Sequence, residues 1–111
     1  MENIVLNEFK RIFREADFQG FIKIGAPLDE YDNEALYLYK NISSKDTIEE
    51  IQKKIWEHFY NSFCTGTSYS EDGKYKKYSM SIKKAKEYIG TVDAYKEVAE
   101  KLKEAINNYS A

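Results

Sequence analysis

Apolar residues recur at helical spacing along most of this chain. Between residues 3 and 16, Val5, Phe9, Ile12, Phe13 and Ala16 form one stripe, with Glu8, Lys10, Arg11 and Arg14 mostly off it, which predicts a first helix. The next segment, DFQGFIKIGAP, holds two glycines and a proline and cannot continue a helix comfortably. Phe18, Phe21, Ile22 and Ile24 are apolar enough to fold back as an ordered, partly buried connection. A second helix is expected from about residue 33 to about 43, with Asp32 as its N-cap, Glu34 favoured by the helix dipole, and Tyr31 stapled onto Leu36. TIEE opens a third helix as a capping box of Thr47 and Glu50, and Ile48, Ile51, Ile55, Phe59 and Phe63 carry it to about residue 64.

CTGTSYSEDG is a loop by composition, closing on the turn-forming pair Asp72-Gly73. Beyond it, Tyr75, Tyr78, Ile82, Ala85 and Ile89 fall at helical spacing before Gly90, which favours a fourth helix, although Tyr69 to Tyr78 could pair as a short hairpin. The last segment places Val92, Tyr95, Val98, Ala99, Leu102, Ala105, Ile106 and Tyr109 on one side of a further helix. The pattern predicts an all-α fold. It comprises about five helices in a single small orthogonal bundle over residues 1–111, with a possible hairpin near residues 67–78.

Bulk composition keeps this picture and narrows the function. At 111 residues, 42% hydrophobic and 32% charged, the chain can bury one core and is too apolar to be disordered. The amino-terminal residues lack the layout of a secretory signal, and no run approaches the ~20 apolar residues of a membrane span, so a cytoplasmic protein without membrane contact is expected. The single cysteine, Cys64, rules out an internal disulfide framework. Charge is uneven: residues 1–73 carry 8 basic and 14 acidic side chains, residues 74–90 carry 6 and 1, and the remainder 3 and 4. An acidic body with one basic segment bears on partners, not on fold.

Four carboxylates, Asp29, Glu30, Asp32 and Glu34, crowd around Tyr31. Acid and base roles would need different environments for two of them, and a knot at a helix start is usually exposed, so capping explains the position better than catalysis. The stretch lacks the glycine of a calcium loop. His58 and Cys64, six residues apart on one helix, lie about 120° apart around its axis and do not make a nucleophile–base pair. The chain has no glycine-rich phosphate loop or nucleophile elbow. No catalytic residue, metal ligand or cofactor is therefore expected. Lys74, Lys76, Lys77, Lys83, Lys84 and Lys86, interleaved with Tyr75 and Tyr78, could grip phosphates and stack on bases. On a helix, however, those tyrosines would face the core, and the acidic remainder would repel nucleic acid, which makes that ligand the lesser alternative. The ten tyrosines suit a core edge or a protein interface; Tyr37, Tyr39 and Tyr60 are candidate anchors.

The segment ADFQGFIKIGAPLDEYDNEA resembles part of a family of small uncharacterised bacterial helical proteins in which an Asp-Pro-hydrophobic-Gly turn leads to an Asp-Glu-Tyr-Asp box opening a helix. Asp17 and Gly20 match the first element and Asp29, Glu30, Tyr31 and Asp32 the second, while Phe18 replaces the proline and Ala16 the tryptophan that usually precedes the aspartate. The resemblance implies an immunity-type protein, encoded beside a contact-dependent or polymorphic toxin and neutralising it by binding. Asp29, Glu30 and Glu34 would then supply charge, and Tyr37 and Tyr39 packing, against a cognate toxin domain. An acidic face of this kind would steer towards a basic partner.

Overall fold

A computed structural model describes residues 3–18, 23–25, 31–69, 71 and 73–109, with residues 67–69 described by backbone alone. In chain order the elements are α1 (Ile4–Ala16), α2 (Asp32–Asn41), α3 (Ile48–Phe63), the strands β1 (Thr65–Tyr69) and β2 (Tyr75–Ser79), α4 (Ile82–Ile89), a 3-10 turn (Val92–Tyr95) and α5 (Lys96–Tyr109). The fold is thus mostly helical with one two-stranded sheet. No helix among the described residues is long and apolar enough to cross a membrane.

The apolar stripes become the core. Val5, Phe9, Ile12 and Phe13 of α1 meet Ala35 and Leu38 of α2, Ile51, Ile55 and Phe59 of α3, and Val98, Ala99, Leu102, Ala105 and Ile106 of α5 in one buried cluster. Phe18 enters it from the connection after α1, its ring edge-on to Phe13, Phe59 and Tyr95 at 5.9, 5.2 and 4.9 Å. The centre of the body is therefore aromatic, and offset edge-to-face rings lock it.

Helix ends follow local chemistry. Asn3 caps α1, its side chain accepting from the Leu6 amide, and Asp17 ends it in left-handed backbone at φ 42°. Thr47 and Glu50 form the expected capping box at α3. At α2 the expectation fails: Tyr31 occupies the cap position without a side-chain cap bond, and Asp32 is the first helical residue. Asp32 instead pairs with Arg14 of α1 at 2.9 Å, so it ties two helices together. The helix also stops earlier than expected, at Asn41.

The larger correction lies after Cys64. Residues 75–79 are not the start of a helix but strand β2, antiparallel to β1, with Thr65 opposite Ser79, Gly66 opposite Tyr78 and Tyr69 opposite Tyr75. Thr65, Thr67, Tyr69, Tyr75 and Tyr78 are β-branched or aromatic residues that favour a pleated surface over a helix, and the left-handed backbone of Gly73, φ 80°, lets the chain reverse. The helical spacing of Tyr75, Tyr78 and Ile82 was coincidental. A helix begins only at Ile82, where Ser81 accepts from the Lys84 amide. Among the described elements, β1 packs only on α3 and β2 only on β1, so the ribbon stands off the body. This accounts for the long axis of 54 Å against 28 and 25 Å, and for a radius of gyration of 15.6 Å where a compact chain of this length gives about 13 Å.

Candidate binding surface

The acidic box is built as a structural joint. The Tyr31 ring is fully buried, and its hydroxyl donates to Asp17 Oδ1 at 2.8 Å, while the Lys23 amide donates to Asp17 Oδ2 at 3.0 Å. Asp17 thereby connects the end of α1 to the start of α2, and the Arg14–Asp32 pair repeats the connection one position on. Asp17, Tyr31 and Asp32 thus hold two helices in place. Asp29 and Glu30 lie outside the described residues. Glu34 is half-buried in the first turn of α2.

The expected tyrosine anchors divide. Tyr39 turns into the body: its ring lies edge-on to Phe9 at 6.0 Å, and its hydroxyl accepts from Asn3 Nδ2 at 2.6 Å. Tyr60 stacks on Trp56 at 5.4 Å and donates to the Met80 carbonyl at 2.6 Å. Tyr37 alone of the three is exposed, at 46%, with its ring stacked 4.1 Å from His58. Tyr37, His58, Asn41, Lys54, Glu57 and Asn61 line a shallow depression of about 280 Å³. Partial burial holds the His58 pKa below its ordinary value.

The basic segment is mounted differently. One face of α3 presents Gln52, Trp56 and Tyr60 at spacings of four, and each donates to a carbonyl of the chain around α4: to Val92, Gly90 and Met80 at 3.1, 2.7 and 2.6 Å. The Met80 amide in turn donates to the Cys64 carbonyl at 2.7 Å, closing the root of the ribbon. This rack was missed in the sequence. The signal for it was a row of hydrogen-bonding side chains at i, i+4 and i+8 beside the apolar stripe of α3.

Between residues 74 and 88, Met80 and Ala85 turn towards the core and the other side chains are exposed. Every residue of β2 is exposed. Tyr75 is 64% exposed, Tyr78 57% and Tyr88 of α4 53%. Strand alternation puts Tyr75, Lys77 and Ser79 on one face and Lys76 and Tyr78 on the other. The hydroxyl end of the Tyr78 ring covers Gly66 on the paired strand, in the space a Cβ would take. Thr65, Gly66, Lys77, Tyr78 and Ser79 enclose an open depression of about 430 Å³. Ion pairs engage four cations of the body: Arg11 with Glu8 and Glu15, Arg14 with Asp32, Lys54 with Asp46 and Lys101 with Glu97. Lys77, Lys83, Lys84 and Lys86 make no ion pair with any described residue.

Cys64 is buried at the end of α3, and burial pushes its thiol pKa up, which disfavours the thiolate. His58 stacks on Tyr37, in different surroundings. Burial likewise raises the Tyr95 phenol, whose hydroxyl donates to the Ile89 carbonyl. Among the described residues no three His, Cys, Asp or Glu side chains gather as metal ligands do. Compared with known proteins, the chain matches no family model, no curated protein and no solved structure.

Proposed function

We propose that this protein is a binding module that works through the ribbon and α4, and that its ligand is a nucleic acid. The observation that carries this reading is the exposure of Tyr75 and Tyr78 on the ribbon and of Tyr88 on α4, among the six lysines of residues 74–86. Lysines supply phosphate contacts, and exposed rings supply surfaces for bases. Residues 1–73 carry 8 basic and 14 acidic side chains, but residues 74–90 carry six lysines and one carboxylate, and salt screens the more distant charges so that this local excess meets a polyanion first. The test is a titration with labelled RNA and DNA at roughly 50 and 200 mM salt, where log K should fall with log salt at about 0.7–0.9 per phosphate neutralised. Substituting Lys76, Lys77, Lys83 and Lys84 by alanine should flatten that slope, and no binding at low salt would remove the reading.

A second reading, an immunity protein that neutralises a cognate toxin domain, draws support from the exposed Tyr37 on His58 beside Glu57. An aromatic ring at a shallow depression is the kind of anchor around which interface energy concentrates. Of the other residues expected to carry this reading, Tyr39 faces the body, Glu34 is half-buried, and Asp29 and Glu30 lie outside the described residues. Co-expression with the product of the adjacent gene tests it. Rescue of a toxic neighbour that depends on Tyr37 would place the toxin reading first, and no rescue would eliminate it.

A further inference from the structure

Building on the nucleic-acid reading, we infer that the ribbon takes single strands, with a base stacked on the Tyr78 ring and the backbone held by Lys76 and Lys77. Tyr78 is placed for this. Its hydroxyl end rests over Gly66, which has no side chain to compete, and more than half of its surface remains open. The adjoining depression of about 430 Å³, lined by Thr65, Gly66, Lys77, Tyr78 and Ser79, is within the size range of small-ligand pockets. Lys76 shares the Tyr78 face, two residues away, and Lys77 borders the depression, so two lysines stand beside the ring to meet the phosphates of a stacked strand.

A duplex is the poorer ligand, because its bases are stacked on one another and offer edges, not faces. An acidic polypeptide satisfies the lysines but leaves the rings without flat partners. Residues 74–90 contain six lysines and no arginine. Lysine meets phosphate as a point charge, without the planar fork that reads guanine edges, so binding is tolerant of sequence.

The experiment compares four ligands by fluorescence anisotropy at low salt. They are an oligothymidylate of roughly a dozen nucleotides, the corresponding duplex, an abasic phosphodiester of the same length, and poly-glutamate of similar charge. The single strand should bind roughly tenfold or more tighter than the abasic strand and the duplex, since stacking is sequence-tolerant and adds to charge. Tyr78→Leu, which keeps an apolar side chain on the strand without a ring, should lose most of that margin, and Tyr78→Phe should keep it. Equal binding of the first three ligands overturns the stacking inference and leaves nucleic-acid binding standing. Poly-glutamate binding as tightly as the oligonucleotide overturns the nucleic-acid reading itself, as does a failure of every ligand to bind.

Discussion

The tyrosines of the helical body and those of the ribbon are the same residue put to opposite uses. Tyr31, Tyr60 and Tyr95 bury much or all of their rings and spend their hydroxyls on internal acceptors: Asp17, the Met80 carbonyl and the Ile89 carbonyl. Tyr75 and Tyr78 leave most of their rings in water. The difference comes from the element. A helix packed on other helices can cover one side of a ring and still reach a partner with its tip, whereas the ribbon, which among the described elements packs on the body only through β1, leaves Tyr75 and Tyr78 largely exposed. A high tyrosine count therefore does not by itself say how many rings reach solvent.

The strongest way to break this division is to truncate a ring on each side of it. Phe59 is fully buried and touches the rings of Phe13, Phe18, Phe63 and Tyr95. Phe59→Ala should cost about 3–5 kcal/mol in urea unfolding, from lost burial and the cavity left behind. Tyr75→Ala should cost less than about 0.5 kcal/mol, as an exposed substitution. Similar losses in the two variants would mean that the ribbon is packed like the body.

A finer comparison removes only a hydroxyl. Tyr31→Phe leaves the ring buried and takes the donor from Asp17, a charge-assisted bond worth about 1.5–3 kcal/mol. Tyr78→Phe should change stability by less than about 0.5 kcal/mol. If Tyr31→Phe were neutral by the same measurement, the acidic box would not be a joint between α1 and α2, and its residues would return as candidates for binding.

The body was legible in the sequence because burial writes a period. The stripes of α1, α3 and α5 supplied most of the observed core, and Thr47 with Glu50 announced a cap that the structure shows. The ribbon was misread for the same reason: Tyr75, Tyr78 and Ile82 imitate a helical stripe, although nothing is buried beneath them. A short ribbon exposed on both faces has no apolar alternation to betray it, so only β-propensity and the Asp72-Gly73 turn pointed to it. That misreading carried over into function, since assigning the tyrosines to a core argued against a nucleic-acid surface. The candidate site was thus visible as composition, lysines interleaved with tyrosines, but not as geometry. The spacing of Gln52, Trp56 and Tyr60 marks a row of donors, but the carbonyls that rack α4 are distant in sequence and that spacing does not name them.

The two helix starts of the body allow a smaller test. Thr47→Ala removes an observed cap and should cost about 1 kcal/mol. Asp32→Ala removes only a partly exposed ion pair with Arg14, and should cost about 0.2–1 kcal/mol, with the loss disappearing in an Arg14→Ala background. A loss equal to that of Thr47→Ala and independent of Arg14 would reinstate Asp32 as a cap.

The smallest effect on stability is expected at Gly66. A Cβ built there would fall 2.6 Å from Cζ of Tyr78, too close to coexist with the ring as it lies. In a packed core such a clash would cost a few kcal/mol. Here the obstructing atoms are the far end of an exposed side chain, so the ring can swing off the strand while the backbone stays in register. Alanine also restricts the unfolded chain, which favours folding by about 0.4–1 kcal/mol where the native backbone suits it. The two effects oppose each other, and Gly66→Ala should leave the urea midpoint within about 0.5 kcal/mol of the parent, while moving the ring and weakening any ligand stacked on it. A loss well above 1 kcal/mol would show the Tyr78 ring to be held as firmly as those of the body, and the contrast between the two sets of tyrosines would fail at the residue on which the proposed stacking depends.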